Sequence, residues 1–172
     1  MLIILKMSSV RTTLPREEGP IDRFFDNCMK RKRFLEDVPG HHSKHLLKAK
    51  HDLVRARAEF DDECWDWTVV MAYYAIHHAG NALLSREKGL FSKDPSCLII
   101  ALQRWELIST DFMGAMAQVH QRFADAVDLD LTFQLRKISQ YSVDEWEDIT
   151  GEDAGAVLEV ASKLVRFVEQ GT

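Results

Sequence analysis

Cys64–Arg86 is the most apolar stretch of the chain, and its small side chains limit the fold more than any other feature. Ala72, Ile76, Ala79 and Leu83 recur at helical spacing, and Val69, Tyr73 and Ala75 widen that line. Ala72, Ala75, Ala79, Gly80 and Ala82 present almost no bulk, so a neighbouring helix can approach closely. Gly89 stands where a helix C-cap glycine belongs. Just upstream, Leu46, Ala49, Leu53, Ala56 and Phe60 alternate steps of three and four, a second packing stripe. Ser43 is positioned to cap that helix, and Lys44, Lys48, Lys50, Arg55 and Arg57 lie between the apolar positions as a solvated basic face. Asp61, Asp62 and Glu63 supply a turn, so the two helices read as an antiparallel pair.

The remaining periodicities are helical too. A short helix is expected over Ile21–Glu36, with Ile21, Phe24, Phe25, Cys28 and Met29 on one face and a basic run from Lys30 to Arg33. That run reads as cations at a helix C-terminus, favoured by the dipole, with a phosphate-contacting patch as the alternative. Val38-Pro39-Gly40 ends the segment, which puts His41 and His42 ahead of the next helix. Leu90 to Asp94 reads as a loop, and Pro95 suits the first turn of a helix carrying Leu98, Ala101, Leu102 and Trp105. Asp111 caps a further stretch with Phe112, Met116, Val119 and Phe123, and acidic residues from Asp125 to Asp130 interrupt it. Leu131, Leu135 and Ile138 mark another helical stretch ending near Tyr141, followed by an acidic loop to Gly151. The last helix, about Glu152 to Gln170, has the cleanest stripe of all in Val157, Leu158, Ala161, Leu164, Val165 and Val168. No alternating run is long enough to demand a sheet. The fold class is therefore all-α, an up-and-down bundle of four main helices with short additional ones.

Composition narrows the function. A net charge of −5 argues against a surface that binds polyanions everywhere, so any nucleic-acid contact needs a local basic patch. Residues 1–20 are expected to form a flexible tail and 21–172 a single domain. MLIILKM at the start is too short for a secretory signal or a membrane span, and a cytoplasmic location is the expectation. Cys28, Cys64 and Cys97 are odd in number and form no CxxC pair, so neither a zinc site nor a disulfide framework is indicated and reduced thiols are expected. Glycine-rich phosphate loops and GxSxG are absent, and no cofactor is implied.

Specificity comes from Ser43 to Leu84, which resembles the first helix pair of the HEPN family (higher eukaryote and prokaryote nucleotide-binding domains). The markers are Ala72-Tyr73-Tyr74-Ala75 and Ala82-Leu83-Leu84, followed by Gly89. Leu135 to Glu145 is similar to the family's arginine-then-tyrosine segment, and the helix with Ala161 and Phe167-Val168 to its closing helix. The resemblance implies a four-helix core, commonly dimeric. Many of these domains are metal-independent ribonucleases that use an arginine followed closely by a histidine. The arginine holds the scissile phosphate, and the histidine moves protons near neutral pH. Here Arg136 is followed by Tyr141, and no histidine occurs after His120. A phenol with a pKa of about 10 is a poor base at neutral pH but can still donate a hydrogen bond to phosphate.

The expected function is therefore RNA or nucleotide binding by a homodimer, in a cleft built on Arg136 and Tyr141. Tyr73, Tyr74 and His78 are the candidate wall residues. Two alternatives stand beside it: a metal-independent ribonuclease of the toxin–antitoxin type, or a non-catalytic module that partners a nucleotidyltransferase. Either His77 or His78 could supply the missing proton carrier, against the plainer reading of a hydrogen-bonded core histidine. His41, His42, His45 and His51 cluster near a helix start; exposed polar side chains are the default for them, and no metal site is expected. Trp65, Trp67, Trp105 and Trp146 read as packing anchors.

Overall fold

The computed structural model describes residues 15, 17–108, 143–144 and 146–171. Helix α1 is Glu18–Lys30, starting ahead of the expected Ile21 because Pro20 fits the first turn, where a missing N–H costs nothing. It also stops well short of Glu36. The Arg33 and Lys32 amides donate to the Cys28 and Met29 carbonyls, both at 3.0 Å, while Lys32 takes φ 52°. This paired closure normally places glycine in the left-handed position. The same closure, with Glu63 at φ 58° and Glu106 at φ 51°, ends two later helices.

The chain then forms strand β1, Phe34–Glu36, which pairs antiparallel with β2, Leu90–Ser92, in the register Phe34 to Ser92. The expected loop at Leu90 is thus partly a strand, and residues expected to extend the first helix are its partner. Strands of three residues are too short for alternation to reveal them. Helix α2 is His41–Asp61 and α3 is Trp65–Lys88. His41 and His42 lie inside the first turn of α2 rather than ahead of it. Gly40 holds the cap position at φ 84°, and the Ser43 hydroxyl donates to its carbonyl at 2.8 Å instead of capping. Gly89 ends α3 at φ 65°, as the sequence predicts. Helix α4, Pro95–Arg104, opens on Pro95, with the Asp94 carboxylate accepting from the Cys97 amide. After a 3-10 turn at Trp146–Asp148, helix α5, Gly151–Gln170, is capped by a reciprocal pair of bonds between Thr150 and Asp153. The helical stretches expected around Asp111 and Leu131 lie outside the described residues.

The architecture is the expected all-α bundle with one small ribbon attached. Helix α3 is its axis. Ala72, Ala75, Ala79, Ala82, Leu83 and Leu84 are buried on it, against Ala49, Leu53 and Ala56 of α2 and Val157, Val160, Ala161, Leu164, Val165 and Val168 of α5. Gly80 lets α4 close in: a Cβ there would lie 3.1 Å from Leu98 and 3.3 Å from Leu102. The Arg86 guanidinium donates to the Val168 carbonyl at 3.1 Å, tying the end of α3 to the end of α5. Among the described residues, no helix is long and apolar enough to cross a membrane.

Helices α1 and α4 run antiparallel and are joined twice, by a Cys28–Cys97 disulfide and by an Asp22–Arg104 ion pair. The disulfide corrects the expectation of reduced thiols. The two cysteines are 69 residues apart in sequence, and only the packing of α1 on α4 brings them together.

Two stability predictions follow from this packing. Gly80→Val should lower stability by about 1–3 kcal/mol through overpacking. Gly155→Ala should raise it by about 0.5–1 kcal/mol, because a Cβ there meets Phe60 at an ordinary 3.5 Å and glycine is a weak helix former. Urea unfolding of the two variants checks both signs. Reducing Cys28–Cys97, or replacing both residues with alanine, should cost about 2–4 kcal/mol, read as a drop in Tm on adding reductant.

Candidate functional site

Between Thr68 and Ser85, helix α3 buries every residue except Met71, Tyr74, His77 and His78. The face left over from packing is therefore aromatic and imidazole. Tyr73 and Tyr74 diverge around the helix, as adjacent residues must. Tyr73 is buried, Tyr74 is half-exposed, and their rings meet edge-on with centroids 5.3 Å apart. His77, one turn beyond Tyr73, stacks on it at 6.3 Å.

Along this face runs a groove of about 660 Å³. Tyr73, Tyr74 and His77 form one wall; Lys32, Arg33 and Leu35, at the end of α1 and in β1, form the second. Lys93, Asp94, Pro95 and Ser96, at the start of α4, close the third side. The geometry of these walls comes from a buried amide. Asn81 accepts from the Ser92 amide at 2.8 Å and donates to the Ser92 carbonyl at 2.9 Å, acting as a further strand for β2. The Ser92 hydroxyl in turn donates to the Arg33 carbonyl at 2.9 Å. The Cys28–Cys97 bridge then holds the end of α1 against the start of α4. Arg33 lies 3.7 Å from the Asp94 carboxylate and is partly neutralised by it. Lys32 and Lys93 make no ion pair among the described residues, so the groove keeps net positive charge on its rim. Such a site suits an anionic group next to a flat ring.

Of the residues expected in the cleft, the structure brings Tyr73 and Tyr74 to the groove. His78 is not there: it turns toward α2, and His77 lines the groove instead. The difference is one step of about 100° around the helix, which apolar periodicity alone does not resolve. Arg136 and Tyr141 lie outside the described residues. Lys93, Pro95 and Ser96 were not candidates, and no local signal distinguishes them. Lys32 and Arg33 carried a signal in the basic run, but only Lys30 of that run sits in the last turn of α1, so the simple helix-dipole reading does not hold for the other three.

His78 belongs to a second cluster, between α2 and α3. Its ring lies 6.4 Å from that of His45, inclined by 24°, and its Nε2 is 3.9 Å from the Asp52 carboxylate. Asp52 is 2% exposed; it accepts from Lys48 and, at 3.1 Å, from His51. At the other end, Asp37 accepts from His41 and His45, each at 3.0 Å, and from the Val38 amide at 2.9 Å. Burial is the largest single influence on Asp37 and would raise it. Hydrogen bonds from Ser85 and Val38 and the nearby His45 together outweigh that and hold the carboxyl below its ordinary value. His78 is lowered, chiefly because burial disfavours its charged form; Asp52 opposes this, while Lys48 and His45 reinforce it. His41 and His45 are thus buttressed by a buried carboxylate rather than simply solvated.

By NMR, His78 should titrate below the usual 6.5. Asp52→Asn should lower it further, and Lys48→Met should raise it. A folded-state value below the unfolded one gives stability that is complete above about pH 6.5 and is lost as pH falls through the folded value. His78→Gln should therefore remove part of the acid-side loss of stability seen in urea titrations between pH 7 and 5.

A search of curated proteins finds no match. The family model for the HEPN domain matches residues 42–171, which span α2, α3, α4 and α5 and most of the groove-bearing face. With helices in the expected order and the Tyr73-Tyr74 pair on the exposed side of the axis helix, the match shows that this chain belongs to the HEPN family.

Proposed function

We propose that the protein binds a nucleotide or a single-stranded RNA segment in the groove between α3, the β1–β2 ribbon and the start of α4. One observation carries this reading: Tyr74 and His77 stand beside Lys32, Arg33 and Lys93 around a single open groove. A base can stack on the ring wall while the cations meet its phosphates. In this proposal Arg136 supplies a guanidinium to a phosphate and Tyr141 a hydroxyl.

A second reading, RNA cleavage, draws support from His77. It places an imidazole on the groove wall even though Tyr141 stands where the family motif carries histidine. Cleavage of RNA by the pure protein in EDTA, abolished by His77→Gln, would favour it; inert protein at high concentration would exclude it.

Binding is tested by fluorescence polarisation with labelled oligoribonucleotides and with nucleotides. Tyr74→Ala should weaken RNA binding by about 1–3 kcal/mol through lost stacking. Lys32→Ala and Lys93→Ala should each weaken it and flatten the dependence on log salt by about 0.7. Equal affinities for wild type and Arg136→Ala would remove Arg136 from the site. No binding by the wild type would end the proposal.

A further inference from the structure

The His45–His78 pair lies outside the groove, and the reading above does not use it. Each ring turns its Nε2 inward. That of His45 meets Asp37 at 3.0 Å, and since a carboxylate only accepts, the proton is on Nε2. The Nε2 of His78 faces the Asp52 Oδ2 atom at 3.9 Å, and that oxygen is buried without a hydrogen-bond partner. Both Nδ1 atoms are then left without a hydrogen bond among the described residues, on side chains 21% and 26% exposed. Two nearly parallel imidazoles thus stand side by side, each backed by a buried carboxylate and each with its second nitrogen unclaimed.

Neutral rings in this arrangement offer only lone pairs on Nδ1. Protonation at Nδ1 converts each to a donor, and the carboxylates behind stabilise the resulting cations. The separation of 6.4 Å leaves room for one group that accepts from both rings through charge-assisted bonds of about 2.8 Å. The surroundings are cationic. From α2, Lys44, Lys48, His41 and His51 face the pair, opposed by Asp52 on the same helix and Asp37 before it; from α3 the adjacent titratable ring is His77. Phe91 of β2 covers the remaining flank without charge.

We propose that His45 and His78 form a proton-coupled oxyanion site, binding a tetrahedral phosphoryl group between the two rings and taking up a proton with it. The site stands independently of the groove reading. It binds poorly when both rings are neutral and tightens as they charge. Its ligand is the phosphoryl group of a nucleotide or free phosphate.

Sulfate is the probe, because it stays a dianion across the working range and so contributes no titration of its own. Imidazole resonances of wild-type protein are followed from pH 5 to 8 in sulfate and in chloride at matched ionic strength. Saturating sulfate should raise the midpoints of His45 and His78 by about one unit, equivalent to roughly tenfold tighter sulfate binding at acid than at alkaline pH. Folded His45→Gln and His78→Gln should each lose that pH dependence. Identical midpoints in sulfate and chloride, or sulfate affinity independent of pH in wild type, would overturn the site. An AMP arm identifies the source. If AMP raises the same midpoints and also moves the Tyr74 ring resonances, the site reads a nucleotide phosphate; if AMP does not outdo inorganic phosphate and leaves Tyr74 unmoved, it reads free phosphate. The sulfate result does not depend on groove binding, so failure of either proposal is visible without the other.

Discussion

Helix α3 packs against α2, α5 and α4 at once, and the lack of bulk at Ala72, Ala75, Ala79 and Gly80 lets all three neighbours come close. In the middle of α3, packing on several sides leaves few positions facing outward. Met71, Tyr74, His77 and His78 occupy them, so chemistry built on the axis helix must use these side chains. The same close approach that buries the alanines fixes where the outward rings point, because the helix cannot rotate without displacing the core on every side.

Around that axis the remaining parts act as props. Asn81 pairs with the backbone of Ser92, so the buried edge of the β ribbon is satisfied by a side chain of α3 rather than by a third strand. Losing that amide would leave a buried N–H and C=O unpaired, at a cost of about 1–3 kcal/mol each. The Cys28–Cys97 bridge and the Asp22–Arg104 pair secure α1 to α4 on the outside. These props bring Lys32, Arg33 and Lys93 to one rim, although they come from two segments far apart in sequence. Lys32 holds a left-handed conformation in which glycine would be unstrained, so a cationic side chain stands at the groove at some cost to the backbone.

The polar cluster between α2 and α3 has a different logic. Asp37 and Asp52 are buried carboxylates, and a buried charge is tolerated only when donors surround it. Asp37 has a full set from His41, His45, Ser85 and the Val38 amide, which explains why its carboxyl stays acidic despite burial. Asp52 has Lys48 and His51 on one oxygen and only the distant His78 before the other. This asymmetry separates the two ends of the cluster and makes His78 the group whose charge state the surroundings leave most open.

Local periodicity determined the helical class, the α2–α3 pair, the closing stripe of α5 and the stops at Gly89 and Pro95. Each of these depends on neighbours a few residues away and on the backbone preferences of single residues. The Tyr73-Tyr74 pair was also legible, through its place in the resemblance. Tertiary structure alone decided the rest: the Cys28–Cys97 bond, the ribbon, the meeting of Lys32 with Lys93, the buried carboxylates behind the histidines, and the choice of His77 over His78 for the groove. Those features join segments distant along the chain or turn on the rotation of one helix by a single residue step. A repeating apolar pattern fixes which side of a helix is buried, but it does not say which partner that side meets or what stands opposite the residues left outside.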